Sequence, residues 1–226
     1  MFTQLVIATS IVSILITVNK VLEKRKFSSN SSNLSLPLGF LFVALALFCY
    51  GIRDVLIQFD FSRLEFIFYK VGGFLQLVGF FLVGIFVSKF LPGKILNSLV
   101  LAVWFLYSVF MTIAIFFFPV RTVVQQAVFE PIPYKVISHP WESALANSVY
   151  VFGGVILTLL VLFVFSYNST TLNDKNSKIK TLLYGVGIFS LFIPTLLCLF
   201  LSPVFGRIGY IIGAIFIFIA MKIKTP

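Results

Sequence analysis

The charged residues of this chain are concentrated in one short stretch, "RDVLIQFDFSRLEFIFYK", which covers residues 53–70. The stretch carries both signs of charge, although only 11% of the whole chain is charged. Opposite charges at this spacing can form ion pairs that hold two helix ends together, or they can line the rim of a site for a polar or anionic ligand. The sequence leaves both interpretations open. The charged residues are Arg53, Asp54, Asp60, Arg63, Glu65 and Lys70.

Sequence motifs of catalytic and metal sites are missing. His139 is the only histidine, which excludes an HExxH metalloprotease motif and a histidine metal cluster. The sequence contains no GxSxG nucleophile motif and no Walker loop. We therefore predict that the protein is not an enzyme and that it binds no metal and no cofactor. We interpret His139 as a loop residue that packs beside Trp141.

The composition predicts a protein of the cell membrane whose main partner is the lipid bilayer. The chain is 60% hydrophobic and has a mean hydropathy of +1.09. A soluble domain is typically about 25% charged, and apolar runs of about 18 or more residues can cross a bilayer as helices. The net charge of +10 fits lysines at the cytoplasmic face better than nucleic-acid binding, so we expect no nucleic-acid partner.

The apolar runs predict an all-α membrane protein, with a single seven-helix domain over residues 1–226. Proline, glycine and serine at the ends of the runs act as helix start and stop signals. The long link of residues 120–142 either forms a short β-hairpin or lies irregularly on the headgroups. The predicted spans are residues 3–22, 36–59, 64–91, 95–118, 143–167, 179–201 and 203–221.

The distribution of lysine and arginine predicts the orientation of these spans. Eleven basic residues fall in the first, third and fifth links and in the tail, where the positive-inside rule places the cytoplasm. The N-terminus is then outside and the C-terminus is inside, as an odd number of spans requires. The six basic residues on the other side are Arg53, Arg63, Lys70, Arg121, Lys135 and Arg207.

Two functions known for seven-helix proteins are disfavoured. A retinal pigment needs a buried lysine amine in the seventh helix, and "PVFGRIGYIIGAIFIFIAM" contains no lysine. An ion pump places ionisable groups at membrane depth, and the central layers of the predicted helices contain none.

Polar side chains recur at helical spacing in the outer half of several predicted helices. They either line an outward-facing pocket for a small polar or anionic ligand, or they form ion pairs and hydrogen bonds that join helices. Trp104, Tyr107, Ser108 and Thr112 form a further inward stripe on the fourth helix. The candidate ligand-binding residues are Arg53, Asp54, Glu65, Tyr69, Gln76, Asn147, Tyr150, Arg207 and Tyr210.

Small residues on the seventh helix predict a close helix contact. Gly206, Gly209 and Gly213 share a face in a GxxxG pattern. This face packs against another helix of the same chain, or it forms a homodimer. We favour the contact within the chain.

Four segments resemble the seven-helix N-terminal sensor region of a group of bacterial membrane histidine kinases. The first two are "FLFVALALFCYGIRDVL" and "FIFYKVGGFLQLVGFFLVGIFVSKFLPGK". The others are "LLYGVGIFSLFIPTLL" and the long link that precedes "HPWESALANSVYVFGGVILTLLVLFVF". Those proteins continue into an output domain, whereas this sequence ends at "MKIKTP", so the resemblance implies a sensor that signals through a partner.

These observations favour a receptor-like, multi-pass membrane protein. It is expected to bind a small ligand from the outer side and to signal through a membrane or cytoplasmic partner. The alternative is a small transporter or a membrane-assembly subunit without a ligand pocket.

Overall fold

The computed structural model describes residues 2–26, 34–126, 135–200 and 203–224. These ranges contain seven helices and two strands, and α5 includes a π-helical segment at Val149–Gly153. The strands are β1 (Val123–Gln126) and β2 (Lys135–Ser138). The helices are α1 (Phe2–Lys26), α2 (Ser35–Gln58), α3 (Ser62–Ser88), α4 (Lys94–Phe117), α5 (Ala144–Thr171), α6 (Lys175–Phe200) and α7 (Pro203–Lys222).

The predicted all-α architecture is confirmed at the level of seven helices, with ends that differ by a few residues from those predicted. Four of them, α2 to α5, are long and apolar enough to cross a membrane. In the most apolar 18-residue segment of each helix, about half of α2 and of α3 is buried, against 28% of α4 and of α5. The large apolar side chains on the outer surface of α4 and α5 therefore face away from the protein.

The helices form a closed ring in chain order. Each helix packs against the next one, and α1 closes the ring by packing against α7. The contact between α4 and α5 is the thinnest of these and is made at the π-helical segment. The main core lies inside the ring and contains Phe40, Phe165 and Ile188, all of which are fully buried.

Two pairs of glycines let neighbouring helices approach each other closely. A Cβ atom added at Gly79 would lie 2.8 Å from Gly39 O, and one added at Gly39 would lie 2.9 Å from Gly79 O. Gly187 of α6 and Gly213 of α7 show the same reciprocal contact, at 3.0 and 2.7 Å. Gly213, predicted from the GxxxG pattern, thus packs against a helix of the same chain.

The turn between α2 and α3 depends on a left-handed residue that is not glycine. Asp60 has φ of 60°, and the backbone bonds Asp60 N to Ile57 O and Phe61 N to Leu56 O form a Schellman motif. Aspartate is among the few side chains that adopt this conformation at modest cost. The turn brings the start of α3 back beside the end of α2.

Strands β1 and β2 pair antiparallel, with Val123 opposite Ser138 and Gln126 opposite Lys135. The pairing extends towards the helices through a bridge between Val120 and Trp141. We call residues 119–126 and 135–142 the β arm. The residues that connect the strands lie outside the described ranges, so the hairpin connection stays a prediction.

Gly79→Ala is expected to lower the free energy of unfolding by about 1–3 kcal/mol, because the added methyl group meets backbone atoms of α2 that cannot move independently. Denaturant unfolding in detergent micelles measures this loss.

Gly51→Ala is the matched control, because its Cβ would meet only the Cγ2 methyl group of Ile7, at 3.3 Å, and no backbone atom of another helix. It should be neutral or slightly stabilising, since alanine favours helix over glycine by about 0.5–1 kcal/mol. Equal losses of unfolding free energy in the two variants would show that the close approach of α2 and α3 at Gly79 is not the cause of the loss.

Candidate functional site: a buried charge cluster under the β arm

A buried carboxylate joins three elements of the fold. Glu65 lies in the first turn of α3, and its side chain is 2% exposed. Arg53 Nε of α2 lies 2.5 Å from Glu65 Oε1, and His139 Nε2 of the β arm lies 3.0 Å from both carboxylate oxygens. The positive end of the α3 helix dipole also favours a negative charge at this position. The carboxylate thus has partners on each side.

Arg53 also binds the β arm directly. Its guanidinium donates a hydrogen bond to Ile137 O of β2, and it stands 5.3 Å from the centre of the Tyr69 ring. Its side chain is only 11% exposed, so most of the charge is removed from water. A planar guanidinium with several donors can hold a carboxylate and a backbone carbonyl at the same time.

His139 is fixed by contacts on all its edges. Its ring packs against Phe66 and Tyr69, with ring centres 5.1 and 4.8 Å apart. Thr122 Oγ1 lies 3.4 Å from His139 Nδ1, and the Tyr69 hydroxyl donates to His139 O at 3.2 Å. The imidazole is therefore held in one position between α3 and the β arm.

A second, more exposed set of contacts lies at the tip of α2. Gln58 Nε2 donates to Lys135 O at 2.9 Å, and Lys135 N donates back to Gln58 Oε1 at 3.3 Å. The amide side chain thus pairs with β2 as a strand backbone would. Lys135 Nζ lies 2.8 Å from Asp60 Oδ1, but the two side chains are 47% and 78% exposed. Exposed ion pairs of this kind contribute about 0–1 kcal/mol.

Deeper in the bundle, one glutamine connects three helices. The Tyr50 hydroxyl of α2 donates to Gln76 Oε1 at 2.8 Å, and Gln76 Nε2 donates to the Tyr210 hydroxyl of α7 at 2.9 Å. Gln76 lies 11 residues after Glu65 on α3, which corresponds to about 16 Å along a helix. Hydrogen bonds of this kind join helices inside a membrane.

The predicted site residues fall into three groups instead of one. Arg53, Glu65 and Tyr69 meet in the charge cluster, and Gln76 meets Tyr210 deeper in the bundle. The third group lies at the base of the β arm. There Asn147 Nδ2 donates to Trp141 O at 2.7 Å, and the Trp141 ring contacts Tyr150. Asp54 is buried and takes part in an interaction of its own, and the side chain of Arg207 lies outside the described part of the chain.

The sequence did not reveal the role of His139. Its ring was expected beside Trp141, but it is 2% exposed and contacts Glu65, Phe66 and Tyr69. Its partner is 74 residues away in sequence, so no local spacing connects the two. The sequence contained one indication of this contact. His139 is the single histidine of the chain, and Glu65 is the single acidic residue in the first turn of α3.

The charged side chains of the cluster are buried and contact other protein groups. Among the described residues, no three histidine, cysteine, aspartate or glutamate side chains are close enough to hold a metal ion. The Glu65 and His139 side chains are both 2% exposed. The arrangement therefore holds the β arm on α2 and α3.

Comparison with protein-family models and with curated proteins found no match for this chain. The resemblance to the sensor region of histidine kinases therefore stays a prediction.

Glu65→Ala is expected to cost about 3–5 kcal/mol of unfolding free energy, because it leaves the Arg53 guanidinium buried without its counter-charge. Glu65→Gln should cost less, since the amide oxygen still accepts a hydrogen bond. Thermal unfolding in detergent, combined with hydrogen exchange of the β-arm peptides, measures both effects.

The matched control for Glu65→Gln is Asp60→Asn, which removes the charge from an exposed pair with the same β arm and keeps a side chain that tolerates the positive φ of this position. Its expected cost from the lost pair is below about 1 kcal/mol. If Asp60→Asn destabilised the protein as much as Glu65→Gln, burial would not be the source of the effect.

Proposed function

We propose that this chain is a seven-span integral membrane protein of the cell membrane and that it acts as a receptor-like sensory module, not as an enzyme. Its N-terminus and β arm lie outside, and its C-terminus lies in the cytoplasm. The observation that carries the proposal is the Glu65 cluster, which connects the β arm to α2 and α3 through buried charges.

The cluster suits a sensing role because its energy depends strongly on geometry. A buried ion pair contributes little net stability when it is intact, but separating its partners leaves a costly unpaired charge. A small polar or anionic ligand that reaches the arm from outside can compete for Arg53 or His139. Its binding energy then shifts the arm between a docked and an undocked state.

The helices offer a route from the arm to the cytoplasmic side. Glu65 and Gln76 lie on the same helix, and Gln76 is bonded to Tyr210 of α7. The last helical residue of α7 is Lys222, at the predicted inner face. A shift of α3 is therefore transmitted to α7, where a partner protein receives it.

A membrane-assembly subunit is the second candidate, and one observation favours it. The Arg53, Glu65 and His139 side chains already bind protein atoms, as a permanent clasp would require. In that case the β arm is a fixed surface for another subunit. A small transporter needs a polar path that reaches the cytoplasmic side. It has less support, because none of the polar contacts described above forms such a path.

The orientation can be tested by cysteine labelling in a background without Cys49 and Cys198. Arg121→Cys in the β arm should react with a membrane-impermeant maleimide in intact cells, since its side chain is 75% exposed. Lys175→Cys, at the start of α6, should react only after the membrane is permeabilised. The reverse pattern would invert the proposed topology, and labelling of both sites in intact cells would contradict a sealed span arrangement.

Sensing can be tested by distance measurements between labels at Arg121→Cys and Phe59→Cys, on the β arm and at the end of α2. The protein in lipid nanodiscs is screened against small polar and anionic compounds. At least one compound should change the distance between the labels. The compound concentration that gives half of this change should rise at least tenfold in an Arg53→Gln background. Asp60→Asn, which alters only the exposed pair, is the control and should leave this concentration unchanged.

A library without any active compound would oppose the sensory role. Constant stoichiometric co-purification with one other membrane protein would then favour the assembly subunit. A compound that acts equally on Arg53→Gln would show that the charge cluster is not the sensing element.

A further inference from the structure

A second polar feature lies apart from the charge cluster, on the predicted inward stripe of α4. Trp104 is 1% exposed, and no described residue accepts a hydrogen bond from its Nε1. The other tryptophan behaves differently, because Trp141 Nε1 donates to Ala114 O at 3.0 Å. An indole N–H that is buried away from water without an acceptor is costly, and most costly within a bilayer.

Trp104 forms part of the wall of a small cavity between α3, α4, α5 and α6. The cavity has a volume of about 20 Å³, and its wall also includes Phe80, Ser108, Leu157, Thr158 and Phe192. About 10–15 Å³ is enough to hold one water molecule. The cavity is therefore large enough for one very small group and too small for a typical drug-sized ligand.

The part of the indole ring that packs against α3 is not the part that carries its nitrogen. A Cβ atom at Gly84 would meet Cε3, Cδ2 and Cζ3 of Trp104, so that side of the ring is packed against α3. Nε1 lies on the opposite edge of the ring system. Phe192 packs edge-on against the same indole, with ring centres 5.4 Å apart.

The opposite wall, on α5, supplies the hydroxyl group of Thr158 and an irregular backbone. Thr158 Oγ1 donates to Gly154 O at 2.6 Å, so its oxygen can still accept a hydrogen bond. Gly154 follows directly on the π-helical segment, where α4 and α5 make their thin contact. A π-helical turn widens the backbone, and such turns are frequent at functional sites.

We propose that Trp104 and this cavity form a binding site for one small hydrogen-bond acceptor. This group accepts a hydrogen bond from Trp104 Nε1–H and, where it carries a proton, donates one to Ser108 Oγ or Thr158 Oγ1. Two sources supply such a group: a water molecule enclosed in the cavity, or the ester carbonyl of a lipid that enters between α4 and α5. This site is independent of the sensory role proposed for the Glu65 cluster.

The experiment uses the full chain labelled with ¹⁵N-tryptophan, which gives two indole N–H signals. Trp104→Phe assigns them, and Trp141 is the internal control with a known protein acceptor. Spectra are compared in ester-lipid nanodiscs, in ether-lipid nanodiscs and in a detergent without ester groups. Magnetisation transfer from water protons identifies an enclosed water molecule.

A hydrogen-bonded Trp104 signal with transfer from water in all three media supports the water site. A hydrogen-bonded signal that is lost in ether lipid and in detergent supports the lipid carbonyl. Ser108→Ala and Thr158→Val should shift the Trp104 signal and leave the Trp141 signal in place. The media comparison on the native chain decides the matter if these variants do not fold.

Two results would overturn the proposal. One is a Trp104 indole that is not hydrogen-bonded in any medium. The other is a bonded signal, equal in all three media, that shows no transfer from water and does not respond to either hydroxyl variant.

Discussion

The arrangement of the β arm, α2 and α3 depends on one buried negative charge. Glu65 has almost no access to water, so its carboxylate must be compensated by neighbouring groups. One partner comes from the preceding helix and one from a segment much later in the chain. Satisfying this single group therefore fixes how α2 turns into α3 and where the β arm lies. The Asp60 turn and the Gln58 contacts with β2 are local solutions that are compatible with that requirement.

Much of the helical architecture was predictable because apolar runs, prolines and glycines mark helix ends locally. The charged segment 53–70 was also recognisable as important, since charges are scarce in the rest of the chain. The partners of its charges were not predictable. Both Arg53 and Glu65 gain a partner through the tertiary placement of the β arm, and helical spacing carries no information about that placement. Tyr69 and Gln76 share a predicted helix face, yet the structure assigns them to different clusters, because Tyr69 contacts the β arm and Gln76 contacts α7.

The ring of helices is held by two unlike kinds of contact. Between α2 and α3, and between α6 and α7, glycines bring the backbones into direct contact, which leaves little freedom to slide. Between α4 and α5 the contact is thin, and a π-helical segment and a small cavity occupy the same region. A bundle built in this way has two closely packed helix pairs and one thin contact. The sequence indicated the glycines but not the π-helical segment, since "VYVFG" has no breaker other than its last residue.

The spacing of the charge cluster has a consequence for biosynthesis. Arg53 and Glu65 are 12 residues apart in sequence, on the two helices that the turn at Asp60 connects. During translation they leave the ribosome almost together, so the α2–α3 hairpin can form with its two charges already neutralising each other. His139 is synthesised 74 residues after Glu65 and cannot assist at that stage. The order of synthesis therefore lets Arg53 and Glu65 pair first. His139 joins them later, when the β arm packs against α2 and α3.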